Sequence, residues 1–218
     1  MTYFIACDFD GTVTERDTLF LIVERYAPQA WKAIEPRLRR REITLLEAIV
    51  EEFRHVNATL PEVLALARAE AGIREGFPEF ARWARTRGHQ LVIVSAGFRA
   101  LIEPLLADAG VEGLEIHAGD AEFTSRGTII RYAETNGECT ERCGSCKGEI
   151  VRGLAPQGTV IVHIGDGFSD VCASREAQIV FARGNLARLL DREAVPHHSF
   201  DTFFDVMAVL ARAETGSG

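Results

Sequence analysis

Residues 3 to 7 form an uninterrupted apolar stretch, and Asp8 and Asp10 follow it just before Gly11. Such a stretch is typical of a strand buried on both faces, as in a parallel sheet covered by helices. Ligands of open α/β sheets bind in the crevice beyond the carboxyl ends of the strands. Because side chains two positions apart point the same way, Asp8 and Asp10 are predicted to project together into that crevice. An Asp-x-Asp-Gly turn without chemistry would have the same sequence.

Two later apolar stretches also end in polar residues. Residues 91 to 94 lead into Ser-Ala-Gly at 95–97, whose hydroxyl and backbone amides are suited to donate hydrogen bonds to phosphate oxygens. Residues 160 to 164 lead into a turn that carries Asp166 and Asp170. Taken singly, a helix cap or an ordinary turn explains each of these segments. Their occurrence at the ends of successive strands favours a phosphate site.

In this arrangement the chain resembles the haloacid dehalogenase superfamily of phosphatases, from residue 4 to about residue 185. The family's first motif is complete as Asp-x-Asp-Gly-Thr, and its fourth is complete as Gly-Asp-x-x-Ser-Asp. A lysine that opens a helical stretch matches the third motif, although a surface lysine would have the same sequence. The four motifs correspond, in chain order, to Asp8 with Asp10, Ser95, Lys147, and Asp166 with Asp170.

The resemblance implies an enzyme that hydrolyses phosphomonoesters through an aspartyl-phosphate. Asp8 is the expected nucleophile. Asp10 is the expected general acid and base, which protonates the leaving oxygen and then activates water. Ser95 is expected to hold the transferring oxygens together with the backbone amides of Ala96 and Gly97.

The resemblance also implies two sources of positive charge. Lys147 is expected to offset the charge on the nucleophile and on the phosphoryl group. Mg²⁺ is the expected cofactor, held by Asp8, the backbone carbonyl of Asp10, and Asp166, while Asp170 orients that shell.

The remaining pattern predicts an α/β fold with a Rossmann-like parallel sheet core, helices on both faces and an inserted all-helical cap. Strands alternate with helical stretches except between the first strand and the second motif, where 19–23, 43–53 and 60–66 show helical spacing. The predicted domains are a catalytic core of residues 1–14 and 73–218 and a helical cap of residues 15–72. The cap is expected to close over the nucleophile and exclude water.

Two resemblances within the superfamily bear on the substrate. Phosphoserine phosphatases have the same cap type, but Asp17 stands here at their cap glutamate and Phe53 at their cap arginine, with Arg54 beside it. An arginine can bind the carboxylate of an amino acid through two parallel hydrogen bonds. The absence of this clamp argues against phosphoserine as the substrate. Asp17 and Arg54 are the predicted substrate-binding residues of the cap, with Phe20 and Arg99 as further candidates.

A cysteine-rich stretch before Lys147 resembles the phosphatases of methionine salvage. Cys139, Cys143 and Cys146 are either reduced and without metal, or ligands of a structural Zn²⁺ that lacks an obvious fourth ligand, or a redox pair. We therefore expect an enol-phosphate of methionine salvage as substrate. Phosphoserine or another small-metabolite phosphate is the alternative, and a non-catalytic phosphate-binding domain is the alternative from another class.

Composition narrows the partners. The 218 residues carry a formal net charge of −8, which gives no electrostatic footprint for nucleic acid. No apolar stretch reaches the length of a membrane span, and the N-terminus enters a strand without a basic leader. The expected protein is cytoplasmic, binds a small phosphorylated metabolite and is a monomer or a homodimer.

Overall fold

The computed structural model describes residues 1–133, 143–144 and 146–215. Within them the strands form a seven-stranded sheet in the order β4-β3-β2-β1-β5-β6-β7, parallel except for the β3–β4 pair. The bounds are β1 Tyr3–Cys7, β2 Gln90–Phe98, β3 Glu115–Thr124, β4 Gly127–Arg131, β5 Val160–Gly165, β6 Ile179–Ala182 and β7 His198–Ser199.

Helices cover both faces of this sheet. Their bounds are α1 Thr18–Tyr26, α2 Pro28–Arg39, α3 Leu45–Phe53, α4 Leu60–Glu70, α5 Phe77–Thr86, α6 Arg99–Asp108, α7 Lys147–Leu154, α8 Val171–Glu176, α9 Gly184–Arg192 and α10 Phe203–Thr215. None of the helices in the described residues is both long enough and apolar enough to cross a membrane.

The predicted fold class is confirmed, and β1 illustrates how helices bury both faces of the sheet. Its alternate side chains point to opposite faces of the sheet. Ile5 packs in a large cluster with α5, α6 and α10, whereas Phe4 and Ala6 pack with Val151 of α7 and Ala173 of α8. Both faces are fully buried, and the strand contains no charged residue.

Residues 15–72 contain α1 to α4 and no strand, as the sequence predicts for this interval. These helices have a hydrophobic cluster of their own that includes Ile22 and Phe53, and Phe98 and Phe123 of the sheet join it. Helices α3 and α4 begin with capping boxes formed by Thr44 with Glu47 and by Thr59 with Glu62. Helix α2, which begins at Pro28 and contains Pro36, is not predicted from the sequence.

The β3–β4 hairpin is a second element that the sequence analysis does not predict. Its two strands pair antiparallel, with Phe123 opposite Thr128 and Ala121 opposite Ile130. Exposed and buried positions are mixed along both strands, so the hairpin lacks the continuous apolar stretch of the buried parallel strands. The hairpin places Phe123 and Ile130 against the cluster of α1 to α4.

Candidate active site

Three adjacent strands deliver the predicted motifs to one edge of the sheet. β1 lies between β2 and β5, so the residues that follow these strands are neighbours in space. The backbone N–H of Asp8 donates to the carbonyl of Ile164 at 2.9 Å. This bond continues the pairing of β1 with β5 up to the turn that carries Asp166 and Asp170. The sheet order therefore brings the first, second and fourth motifs together.

Lys147 lies between two buried carboxylates. Its Nζ is 2.6 Å from Oδ1 of Asp8 and 2.7 Å from Oδ1 of Asp170, and all three side chains are almost completely buried. Burial alone would lower the pKa of Lys147, but Asp170 and Asp8 raise it. The lysine is therefore a permanent positive charge beside Asp8.

The carboxylates outweigh that positive charge. Burial and the charge of Asp170 raise the pKa of Asp8 well above its ordinary value, and Lys147 offsets this only in part. Burial and the charge of Asp170 also raise the pKa of Asp166 to about 6. An acidic cluster of this kind is stabilised when a cation binds to it.

Asp170 is held from four directions. Its Oδ1 accepts from Lys147 and lies 3.2 Å from Nε2 of His163, while its Oδ2 accepts from the backbone amides of Asp166 at 3.1 Å and Gly167 at 2.9 Å. Burial by itself would raise the pKa of Asp170, but Lys147 and His163 lower it. A carboxylate with these partners stays ionised and fixed in orientation.

Asp10 is oriented by a threonine that the sequence analysis does not single out. Its Oδ1 accepts from the backbone N–H of Thr18 at 3.0 Å and from the Thr18 hydroxyl. Its Oδ2 accepts from the Ser95 hydroxyl at 3.4 Å, and that hydroxyl in turn accepts from the N–H of Gly97 at 2.8 Å. Burial raises the pKa of Asp10, and the bonds from Thr18 counteract it. The first and second motifs are thus linked directly.

The turn after β1 needs glycine. Gly11 has φ +78°, a conformation that favours glycine, and a Cβ atom there would lie 2.6 Å from Oδ2 of Asp166. The Thr12 hydroxyl donates to Oδ1 of Asp166 at 2.9 Å. At the next motif, a Cβ atom on Gly97 would overlap the carboxylate of Asp10. Both glycines allow the acidic side chains to pack closely.

Arg74 holds the turn after β1 in place through its guanidinium group, a role that is not predicted from the sequence. The buried guanidinium donates to the carbonyls of Thr12 at 2.7 Å, Gly11 at 2.9 Å and Thr14 at 3.0 Å. Burial lowers the pKa of Arg74. In the sequence Arg74 stands beside a second charged residue, Glu75, and nothing local indicates that one of them is buried or which carbonyls it contacts.

The donor set fits a hard divalent cation. One carboxylate oxygen from each of Asp8, Asp166 and Asp170 lies within 4.8 Å of the others, and Mg²⁺ prefers oxygen ligands of this type. The carboxylate of Asp10 points instead to Thr18 and Ser95, so only its backbone carbonyl could join the set. Because both oxygens of Asp170 are engaged, Asp8 and Asp166 are the better-placed ligands.

The residues predicted for the cap differ in their distance from this cluster. Asp17 caps α1 by accepting from the N–H of Phe20 at 2.9 Å. It is exposed to solvent but crowded by protein, and partial desolvation and the charge of Asp10 raise its pKa to about 7. Asp17 therefore lies within electrostatic reach of the acidic cluster.

Two cap positions do not contact the cluster. Phe53 is completely buried and meets Phe98 edge to face at a centroid distance of 4.9 Å. Arg54 is exposed at the C-cap of α3, and its backbone carbonyl lies against Gly127. Arg99 donates to the carbonyl of Ile116 in β3.

Glu52 of α3, within the predicted cap, is not among the residues predicted for the site. It is half-buried, and burial together with the charges of Glu35 and Asp17 raises its pKa to about 7. Glu52 therefore lies within electrostatic reach of Glu35 on α2 and of Asp17. The sequence does not indicate that Glu52 is half-buried, because the three acidic residues of α3 are typical of a solvated helix face.

The structure describes two of the three cysteines that are predicted to act together. Cys139 lies outside the described residues, whereas Cys143 and Cys146 are buried directly before Lys147. Nearby, the Tyr132 hydroxyl donates to the carbonyl of Ala96 at 2.6 Å, and its ring fills the space that a Cβ atom on Gly144 would need. The segment before Lys147 thus packs against the turn at residues 95–97 through Tyr132.

Comparison with known proteins agrees with the motifs. The sequence profile described as haloacid dehalogenase-like hydrolase matches residues 5–175. The chain is 32% identical, over 95% of both sequences, to 2-hydroxy-3-keto-5-methylthiopentenyl-1-phosphate phosphatase of Brevibacillus brevis, and 34% identical over the same shares to the protein of that name in Geobacillus kaustophilus.

A solved structure shares the fold. A substrate-bound phosphoserine phosphatase superposes with a TM-score of 0.71 at 17% identity, covering 96% of this chain and 98% of that one. At this identity the likeness concerns the fold alone. The profile match and the full-length relatives go further, and the chain belongs to the haloacid dehalogenase-like hydrolase family and is a phosphatase.

Proposed function

We propose that the chain hydrolyses a small-metabolite phosphomonoester through a phosphorylated Asp8. The observation that carries this proposal is the pairing of Asp8 with Lys147 at 2.6 Å, next to a second carboxylate, Asp10, that Thr18 and Ser95 hold separately. A binding module would have no need for two carboxylates with different partners.

The two carboxylates divide the work. An oxygen of Asp8 attacks phosphorus, so that an Asp8–phosphorus bond forms while the bond from phosphorus to the leaving oxygen breaks. Asp10 gives its proton to that leaving oxygen and then takes a proton from the water that attacks the aspartyl-phosphate. Burial raises the pKa of Asp10, which favours the protonated form that the first step needs.

The surrounding groups stabilise the transferring phosphoryl group. Lys147 supplies positive charge next to Asp8. The hydroxyl of Ser95 and the backbone amides of Ala96 and Gly97 are the proposed donors to the phosphate oxygens. Tyr132 holds the carbonyl of Ala96, which orients that turn.

The proposed cofactor is Mg²⁺. Asp8 and Asp166 would hold it with the backbone carbonyl of Asp10, and Asp170 would keep the arrangement in place through its four partners. When bound, the ion offsets the negative charge of the phosphoryl oxygens and the carboxylates. Zinc at Cys139, Cys143 and Cys146 remains a separate prediction, which metal analysis of protein purified without chelator tests.

The proposed substrate is 2-hydroxy-3-keto-5-methylthiopentenyl-1-phosphate. Relatives of that name align along 95% of the chain, and the cap lacks the arginine that would grip a phosphoserine carboxylate, because Phe53 is buried at that position. Asp17 and Arg54 are the proposed cap contacts. Phosphoserine remains the alternative, since phosphoserine phosphatases share the fold.

The proposed organisation follows the same division. Residues 1–14 and 73–218 would form the catalytic core and residues 15–72 the cap of a cytoplasmic enzyme. The two segments that would join the core to the cap lie side by side. The N–H of Glu15 donates to the carbonyl of Gly72, and the N–H of Arg16 donates to the carbonyl of Ala71.

A screen of phosphorylated metabolites with Mg²⁺ tests this function. We expect the highest kcat/KM for the methylthiopentenyl phosphate, and we expect Asp8→Asn to abolish turnover of every substrate, including an aryl phosphate. A preference for phosphoserine would reverse the ranking of substrates. Near wild-type turnover by Asp8→Asn would refute the mechanism itself.

A further inference from the structure

A buried histidine, His163, approaches the same oxygen of Asp170 as Lys147. His163 is on β5, paired in register with Ala6 of β1 and Val180 of β6, and it is completely inaccessible to solvent. Side chains of paired residues share a face of the sheet, and the small Ala6 leaves room there for an imidazole ring. The apolar cluster on this face contains Phe4 and Val94.

Only one of the two ring nitrogens of His163 has a partner among the described residues. Its Nε2 lies 3.2 Å from Oδ1 of Asp170, whereas Nδ1 is buried and makes no hydrogen bond within them. The Nε2–H tautomer is the one that donates to the carboxylate, which leaves an unpaired acceptor at Nδ1. A buried polar atom without a partner costs free energy.

This arrangement is poor as a device for stability. An apolar side chain of similar volume would fill the same place without leaving Nδ1 unpaired. Asp170 would still have Lys147 and the amides of Asp166 and Gly167 as partners. Stability alone therefore does not account for a histidine at this position.

The histidine is instead the first link of a chain of contacts that ends at the nucleophile. His163 contacts Asp170 at 3.2 Å, Asp170 contacts Lys147 at 2.7 Å, and Lys147 contacts Asp8 at 2.6 Å. His163 and Lys147 share the same oxygen, Oδ1 of Asp170. Removing the His163 donor would leave that oxygen to Lys147 alone and strengthen its hold on the ammonium group, which would draw Lys147 away from Asp8.

We propose that His163 is a positioning residue of the phosphatase reaction. By donating to Asp170, it balances Lys147 between Asp170 and Asp8, so that the ammonium group is available to the nucleophile and the phosphoryl group. The inference rests on the proposed function, because it assigns Lys147 the role of countercharge. It adds a residue outside the four motifs described above.

The test compares three substitutions at this position. His163→Leu removes the donor but fills the space. His163→Gln keeps an amide N–H at about the reach of Nε2, and His163→Asn is a matched polar control whose shorter amide does not reach Asp170. For each variant we would measure kcat and KM with an aryl phosphate, the affinity for inorganic phosphate in the presence of Mg²⁺, and the thermal unfolding midpoint.

We expect His163→Leu to unfold at or above the wild-type temperature while kcat/KM falls by about tenfold, the usual loss when a supporting partner of an active-site group is removed. Phosphate affinity should fall with it, and His163→Gln should recover most of both losses. A merely structural histidine would show the opposite, with lower unfolding temperatures in all three variants and no recovery by Gln.

The inference is overturned if His163→Leu keeps the wild-type kcat/KM and phosphate affinity. If His163→Leu does not fold, the comparison of Gln with Asn decides, and equal activities overturn it. If the wild-type protein hydrolyses no phosphomonoester, the proposed function is refuted, and the phosphate affinities, which need no turnover, still test the role of His163.

Discussion

The two sides of the site are built differently. On the core side Asp8, Lys147 and Asp170 are almost completely buried, and Asp170 alone has four partners. On the cap side Asp17 is exposed and Glu52 is half-buried. The raised pKa of each of these cap acids follows mainly from desolvation and from neighbouring negative charge.

Under the proposed function, this contrast corresponds to a division between the chemical step and the recognition of the leaving group. Preorganised groups in a dry environment stabilise a transition state best when their partners allow them only one orientation. Recognition of a leaving group needs a surface that admits solvent and substrate before the site closes. The core side should therefore respond to substitution with large losses, and the cap side with small, pH-dependent changes.

The largest effect is expected for Lys147→Met. The change leaves Asp8 and Asp170 buried without their countercharge, which should cost about 3 to 5 kcal/mol of unfolding free energy and abolish turnover. Denaturant unfolding without Mg²⁺ and a phosphatase assay measure both. The control is Arg68→Met, which removes an exposed ion pair with Asp108 and should change neither quantity appreciably. Equal losses of stability in the two variants would contradict the contrast.

A smaller loss is expected for Gly97→Ala. The new Cβ atom would overlap the Asp10 carboxylate, so either that carboxylate or the turn at residues 95–97 must move. A displacement of this kind should lower kcat/KM by about 100-fold. Gly153→Ala in α7 is the matched control, because its Cβ atom would meet nothing within 4 Å, and it should leave kcat/KM unchanged. Wild-type activity in Gly97→Ala would show that the turn is not tightly packed.

Thr18→Val should have a more moderate effect. The substitution keeps the shape and the backbone bond to Asp10 but removes the hydroxyl bond. We expect kcat to fall by about tenfold, as is usual for a lost supporting contact, with little change in KM. Thr128→Val is the control, since that buried hydroxyl donates to the carbonyl of Val56 away from the site. If the two variants have the same kcat, Thr18 does not orient Asp10.

The smallest effect is expected on the cap side, for Glu52→Gln. The pKa of Glu52 is about 7 in the folded protein, above its ordinary value of 4.5, so the folded state binds more protons between those values. Stability is then lost as the pH rises through that window. Glu52→Gln should therefore raise the unfolding temperature at pH 8 more than at pH 5.

Glu62→Gln should act in the opposite direction. Hydrogen bonds from Thr59 lower the pKa of Glu62, so its contribution is present above the ordinary value and is lost only as the pH falls below it. Its replacement should lower the unfolding temperature at both pH 5 and pH 8. The same sign of effect for both glutamates would show that Glu52 is not held at a raised pKa.

Much of the core could be predicted from the sequence, because its signals are local. The strands buried on both faces read as apolar stretches, and their ends are marked by the acids or the serine that follow. The β3–β4 hairpin escaped prediction because its exposed face interrupts the apolar pattern. Helix α2 escaped prediction because it contains two prolines, which usually interrupt helices, although Pro28 lies at its first turn, where proline is tolerated.

The sequence by itself determined the succession of the buried strands along the chain, the acids and the serine at their ends, and the family to which the chain belongs. The period of a strand and the burial of its side chains are properties of a few consecutive residues. Only the tertiary structure decided that Arg74 binds the carbonyls of the acidic turn, that His163 donates to Asp170, and that Phe53 is buried. Contacts such as that of Arg74 with Thr12 join residues far apart in the chain, and no local pattern records which partner a buried polar group finds.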